Sequence, residues 1–352
     1  MKINEKVSST QMMFLMVTSI AVTGFLYAVS ITSAIALQDA WMSAGLGATL
    51  IGLLIAFVCA GLGLYYPDNS IVEYAPELIG KIGGKVIGLL YILSFMHMSA
   101  IIVREFGDFL VTLFLPETPL VVFNLIIVLL AAYAIYNGME VLCRINQLIF
   151  PFFIGAFIFV ALFFYPEVRF YNFLPVLENG IKPVLFASLI PGMWRGEMAV
   201  ILMFLPFMNQ PRETLKTLII ADILIGLLLT LSAAVNIAVL GPLLAKNMVR
   251  FLEQLQPLVF FMWIVGMTIK LAVFYLASVL GAAQWLNIKD YRSVIFPLGI
   301  FILVYSFALF ENSAEMVAFL AKPAIPYMYI FELIIPMALL AIAFIRKKRG
   351  HK

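Results

Sequence analysis

The chain is 352 residues long, 64% hydrophobic and 12% charged, with a mean hydropathy of +1.08. Soluble domains carry about 25% charged residues, so this composition excludes a soluble domain and describes an integral, multi-pass protein of the lipid bilayer. The formal net charge of +3 is small and its carriers lie at segment ends, which excludes a basic face for nucleic acid.

Residues 1–9 are polar and of mixed charge, and the apolar run behind them is too long for a signal-peptide core, so no cleavable signal is expected. The first span, 12–36, is long enough to cross a hydrocarbon core of about 30 Å. Thr18, Ser19, Thr23 and Gly24 put small and polar groups near its middle, and Ser30, Thr32 and Ser33 continue them. Small residues admit close helix packing; a partial break at 22–24 is the second reading of the same residues. The turn Gln38-Asp39-Ala40-Trp41 carries a Trp suited to an interface, and a second span covers 45–66. An amphipathic helix is expected at 71–79, with Lys81 and Lys85 behind it.

The third span, 86–115, is unusually long and carries Arg104, Glu105 and Asp108. Arg104 and Asp108 stand four apart and can neutralise one another on a helix, either at the outer interface or lining a cavity. His97 is expected to pack between helices; His97 and His351 are too few for a metal cluster. Cys59, in an apolar span, and Cys143, beside a charged loop, suggest neither a disulfide framework nor a metal site. Spans four and five cover 120–136 and 148–164, separated by the turn Asn137-Gly138. A polar connection, 165–182, leads to the sixth span, 183–208.

That span contains Pro191-Gly192-Met193-Trp194-Arg195-Gly196-Glu197. Gly192 and Gly196 lower helix propensity, Pro191 removes a backbone donor, and Arg195 and Glu197 are charges among apolar residues. A broken helix is expected here. Freed backbone groups in a bilayer need partners, so the break implies a polar cavity. Glu197 can also be read as one half of a buried pair with Arg195 or Lys270, which holds the helix without touching a ligand.

Span seven, 218–240, carries Asp222 near its start, and a charged connection covers 243–257. Span eight, 258–285, holds Lys270 in its middle third, where pairing with an acid is favoured over snorkelling to the surface. Span nine covers 294–310. Span ten, 325–345, includes Glu332 and Pro336 and is stopped by Arg346-Lys347-Lys348-Arg349. Ten spans put both termini on one side, and Lys and Arg concentrate in the termini and in the loops after spans two, four, six and eight, which makes both termini cytoplasmic. The two interrupted spans are the first and the sixth, five apart. An odd offset makes the halves inverted repeats, about 10–165 and 181–346, within one transmembrane domain spanning 1–352, with a binding site expected where the repeats meet. No nucleophile and base, metal-ligand spacing or phosphate loop is present, so neither an enzyme nor a cofactor is expected.

Several motifs, in this order and spacing, carry a family likeness: Thr23-Gly24-Phe25-Leu26, Gln38-Asp39-Ala40-Trp41, Tyr66-Pro67, Val72-Glu73-Tyr74, Leu78-Ile79-Gly80-Lys81, Arg104-Glu105-Phe106, Leu174-Pro175-Val176-Leu177-Glu178-Asn179-Gly180, Gly196-Glu197 and Phe204-Leu205-Pro206. Over nearly its whole length the sequence resembles the spore-germination permease-like family, the B subunits of nutrient germinant receptors, within the amino acid-polyamine-organocation superfamily. The resemblance implies an all-α, ten-helix, 5+5 inverted-repeat transporter fold with broken helices one and six, retained in a receptor. It implies a germinant-binding subunit, typically for an amino acid, partnered by A-type and C-type receptor subunits in the spore inner membrane. Two departures stand out. Val22 occupies a position where the family commonly has Gly, which should narrow the pocket or stiffen the break, and the family's Phe-(Ile/Leu)-Glu-Arg motif reads Phe251-Leu252-Glu253-Gln254.

On this likeness a zwitterionic amino acid is expected between the first and sixth helices. Its carboxylate would meet backbone amides near Thr23 and Gly24 beside Val22, and its ammonium would meet carbonyls freed near Gly196 and the Glu197 side chain. Trp194 would border the side-chain pocket, with Ser99 contributing from span three. Lys270 would stand where sodium-dependent superfamily members hold a cation, so sodium independence is expected. A proton-coupled amino acid transporter, with Glu197 or Glu332 changing protonation, is the alternative. A channel or scaffold would need a continuous polar lane that the sequence does not show.

Overall fold

The computed structural model of the protein describes residues 5–241 and 256–350. The Phe251-Leu252-Glu253-Gln254 motif and nearly all of the 243–257 connection lie outside the described residues. Among the described residues the chain is helical, with one isolated parallel bridge, between Val7 and Met208.

The helices are α1 (Ser9–Thr23), α2 (Val29–Ala36), α3 (Ala48–Gly63), α4 (Ile71–Ile79), α5 (Lys81–Leu113), α6 (Leu120–Tyr136), α7 (Met139–Phe163), α8 (Ile181–Gly196), α9 (Ile201–Phe204), α10 (Thr214–Leu240), α11 (Gln256–Leu286), α12 (Arg292–Ala308), α13 (Ser313–Ala321), α14 (Ala324–Tyr329) and α15 (Ile335–Gly350). Among the described residues seven helical stretches, some joining two of these elements as Val29–Gly63 does, are long and apolar enough to cross a membrane, or eight if α12 and α13, bent by 96°, form one span; α1 and α6 are apolar but shorter. Large side chains such as Phe152, Leu148 and Val304 stand exposed on the outside of the bundle, as a surface in contact with lipid requires.

Local chemistry sets several boundaries. Ser8 and Gln11 form a reciprocal capping box at the start of α1, with bonds of 3.0 and 3.2 Å, and Ser70 and Glu73 do the same for the amphipathic α4. Each box satisfies backbone donors that the first helical turn leaves unpaired. The expected turn at Asn137-Gly138 is present, and Gly138 takes a φ of +100° that a side chain would strain.

The two expected interruptions are real but of a different kind. The first span does not unwind at 22–24; α1 continues to Thr23 and is followed by a π turn, Gly24–Ala28, before α2. The sixth span is helical through Pro191 and up to Gly196, then tightens into a 3-10 turn, Glu197–Val200. Neighbouring helices hold the proline-containing stretch in helical form. A Cβ on Gly192 would lie 2.6 Å from the Tyr329 hydroxyl and 2.8 Å from Ile51, so the absence of a side chain there is used for close packing. A third change of winding, unforeseen in the sequence, is the π turn Ile330–Ile334 between α14 and α15. The short α13 is also an addition to the expected elements.

The long α5 and α11 lie against one another along the centre, α1 packs on α7, α10 and α11, and α8 packs on α3. Two ties fix the ends of the first and sixth spans. At one end Val7 donates to the Phe207 carbonyl at 2.7 Å, Asn209 donates to the Val7 carbonyl at 2.9 Å, and Lys6 donates to the Pro206 carbonyl at 3.0 Å. At the other, the Leu177 amide donates to both Asp39 carboxylate oxygens at 3.1 Å, and Gln38 donates to the Pro175 carbonyl at 2.9 Å. The second tie joins the turn after the first span to the 165–182 connection, which the sequence places on one side.

Candidate functional site

Where α1 ends, Thr23 faces α11 and the 3-10 turn of the sixth span. Lys270 Nζ donates to Thr23 Oγ1 at 2.5 Å and to Glu197 Oε1 at 2.7 Å. Both charged side chains are 1% exposed. One lysine therefore bridges three separate spans at the level where two of them change winding. Of the two partners the sequence offered to Glu197, the structure selects Lys270; Arg195 goes elsewhere.

Arg195 points from α8 toward α3 and α10. Its Nη1 donates to Asp222 Oδ1 at 2.9 Å and to Thr49 Oγ1 at 2.7 Å, and its Nη2 donates to the Ala44 carbonyl at 2.6 Å. Neither side chain of this pair is exposed. The Arg195–Asp222 pairing was missed in the sequence. Its signal was one acid and one base, each in an apolar span, but which faces they share depends on helix rotation.

The expected pairing of Arg104 with Asp108 is present. Arg104 Nε lies 3.0 Å from both carboxylate oxygens, and Nη1 donates to the Phe310 carbonyl at 2.9 Å. Both residues are buried within the protein. Glu105, between them in sequence, borders a narrow void together with Trp194, Glu197 and Lys270. His97 packs among Tyr305, Phe319 and Tyr327, with Nδ1 3.0 Å from the Tyr327 hydroxyl, in the packing role expected of it.

A second void adjoins the first and shares Met98, Glu197 and Met328 with it. Its floor is Glu332, carried on the π turn Ile330–Ile334. Glu332 is 5% exposed, and neither carboxylate oxygen has a hydrogen-bond partner; Glu197 Oε2 also lacks one. A Cβ on Gly196 would sit 2.0 Å from Glu332 Oε2, so the glycine is what lets the carboxylate lie against the sixth span. The first void has room for about one water and the second for roughly two. Formal charge is unbalanced around them, because Lys270 offsets only one of Glu105, Glu197 and Glu332.

The structure thus separates the residues singled out in the sequence. Thr23, Trp194, Gly196, Glu197, Lys270 and Glu332 come together around the bridge and its voids. Val22 does not border them; it faces Phe25, Phe153, Phe157 and Trp263, and a Cβ on Gly266 would lie 2.6 Å from it. The extra bulk of valine is absorbed by a glycine on the facing helix. Gly24 packs against Leu229, and its amide already donates within the helix, to Ala21 and Ile20, so it is not a free donor for a carboxylate. Ser99 is turned back on its own helix, donating to the Phe95 carbonyl at 2.8 Å. The two voids beside the bridge lie between α5, the sixth span, α11 and α14, and not between the first and sixth spans alone; a larger, apolar recess lies apart from them, between α7 and α11. Among the described residues no group of three or more His, Cys, Asp or Glu is arranged to hold a metal ion.

Solved structures resemble this chain in fold, and curated proteins resemble it in sequence. Mhp1, a nucleobase-cation-symport-1 family transporter solved in a closed conformation, superposes with a TM-score of 0.70 at 12% identity, covering 93% of this chain and 78% of that one. MhsT, solved in complex with L-phenylalanine, gives 0.67 at 11% identity, covering 98% and 99%. Among curated relatives, spore germination protein KB of Bacillus subtilis (strain 168) is 30% identical over 90% of this chain and 89% of its own length. Spore germination protein YndE of the same strain is 24% identical over 89% of each. A family model described as spore germination protein matches residues 6–316. A multi-pass helical membrane protein with a transporter's fold, this chain belongs to the spore germination protein family.

Proposed function

We propose that the protein is the B subunit of a spore nutrient germinant receptor, binding a small amino-acid-type germinant in a transporter-like pocket and signalling germination. One observation carries this reading: Lys270 ties Thr23 to Glu197 across three spans, beside voids bordered by Trp194 and Gly196. A ligand that enters beside this bridge competes for its charges, and the competition is felt in three helices at once. MhsT, a protein of the same fold, holds L-phenylalanine.

In the finer reading the chain crosses the spore inner membrane ten times, as one domain of two inverted repeats, with both termini cytoplasmic and with A-type and C-type receptor subunits as partners. Val22, Gly24 and Ser99 then act from behind the pocket wall, through packing. Lys270 fills the position of a coupling cation, which makes the response independent of sodium.

The test is titration calorimetry on the full chain in lipid nanodiscs against a panel of the common amino acids. At least one should bind, and Glu197→Gln should weaken it by tenfold or more, about 1.4 kcal/mol. Replacing sodium by choline at fixed ionic strength should leave that affinity unchanged. Binding that ignores Glu197→Gln, or that requires sodium, would defeat the assignment. Accumulation of the bound amino acid inside liposomes holding this chain alone would favour a transporter, with Glu197 or Glu332 as the proton carrier.

A further inference from the structure

The bridge residues leave one buried acid unused. Glu332 is 95% enclosed by its 5% exposure, borders a void, and has no hydrogen-bond partner on either oxygen. An ionised carboxylate in this setting is costly, and natural proteins keep such groups where a cation is to be met. The geometry around it is that of a receptor for an organic cation. Tyr327, Phe331, Tyr91, Phe95 and Phe274 follow one another around the same void with successive ring centroids 5.4 to 6.3 Å apart. Ring faces attract a positive charge, and aromatic walls closed by a carboxylate are suited to an ammonium group.

Size and donor set narrow the occupant. Room for roughly two waters suits an alkylammonium head and excludes a bulky base. A hard metal ion asks for six or more oxygen ligands, and this void offers two carboxylates, Glu332 and Glu197, among mostly aromatic and aliphatic side chains. The placement also gives a ligand leverage. Glu332 sits on a π turn, a winding often found at functional sites, and lies directly against Gly196, where the sixth span passes from α-helix to 3-10 turn.

We propose that Glu332 and the aromatic ring around it form a subsite for a primary ammonium group, on the side of Glu197 away from Lys270 and Thr23. It rests on the receptor reading only in taking that ammonium as one end of an amino-acid-type germinant. The ammonium then offsets one of the two formal negative charges that Lys270 leaves, and couples α14, the π turn and the sixth span.

The experiment uses the full chain in nanodiscs and follows its thermal unfolding with ethylammonium chloride, sodium propanoate and sodium chloride at equal ionic strength. Ethylammonium alone should raise the unfolding temperature saturably. Glu332→Gln should weaken that response at least tenfold, and Phe95→Leu, which keeps the charge and removes one ring, should weaken it several-fold. Melting without ligand checks that both variants are folded. Equal stabilisation by propanoate, an ethylammonium response unchanged in both variants, or no response in the wild type overturns the proposal. A receptor that still binds its amino acid while ethylammonium ignores Glu332 sinks the subsite alone. Ethylammonium binding without any amino-acid binding sinks the receptor reading alone.

Discussion

Two of the buried ion pairs are anchored two residues apart on the sixth span, at Arg195 and Glu197, yet they differ in what surrounds them. Arg195–Asp222 is balanced in charge and pressed into backbone: a Cβ on Gly52 would lie 2.1 Å from Asp222 Oδ1, and one on Gly226 would lie 3.3 Å from Arg195 Nη1. Lys270–Glu197 borders two voids, has the carboxylates of Glu105 and Glu332 nearby, and with Thr23 ties two spans where their winding changes to the unbroken α11. A matched pair in a filled space fixes helices in place. A pair with surplus charge and spare room is prepared for a guest.

Breaking the matched pair should have the largest effect. Asp222→Ala strands the Arg195 guanidinium and is expected to cost about 3–5 kcal/mol, read as a lower midpoint of unfolding in mild detergent. Gly52→Ala attacks the same pair by bulk alone; the added methyl must displace the Asp222 carboxylate, for about 1–3 kcal/mol. Glu332→Gln should move stability least, within about 1 kcal/mol and in the stabilising direction, because it removes a charge that had no partner. If Glu332→Gln destabilised the fold as much as Asp222→Ala, the contrast between a structural pair and a ligand-ready one would be lost.

The sequence made the membrane class and most helices legible because apolar length survives any detail of packing. The amphipathic α4 was expected at 71–79 and is found at Ile71–Ile79. Arg104 and Asp108 could be paired because both lie on one helix, where a spacing of four fixes their distance. Lys270 and Glu197 could be offered to one another as the charges of two apolar spans, but Arg195 was an equal candidate until the rotation of α8 turned it toward Asp222. The winding was misjudged for a similar reason. Pro191 and two glycines argue for a broken helix in isolation, whereas Tyr329 and Ile51 packing onto Gly192 keep it helical, and the actual change begins at Glu197. Nothing in Ile330-Phe331-Glu332-Leu333-Ile334 announces a π turn. That turn aims Glu332 at Gly196, so the partnerless acid was visible as a residue and invisible as a place.

The short stitch between Val7 and residues 207–209 sets a rule for how the bundle can open. It fastens the start of the first span to the end of the sixth by two main-chain bonds, with Lys6 clasping Pro206 beside them. Sliding the two rods apart in parallel would have to tear both bonds, while pivoting about them tears none. Gaping toward the far end, as of a clothes-peg held at its spring, is the motion that this fastening leaves free, and there it has to undo the clasp of Asp39 and Gln38 on Leu177 and Pro175.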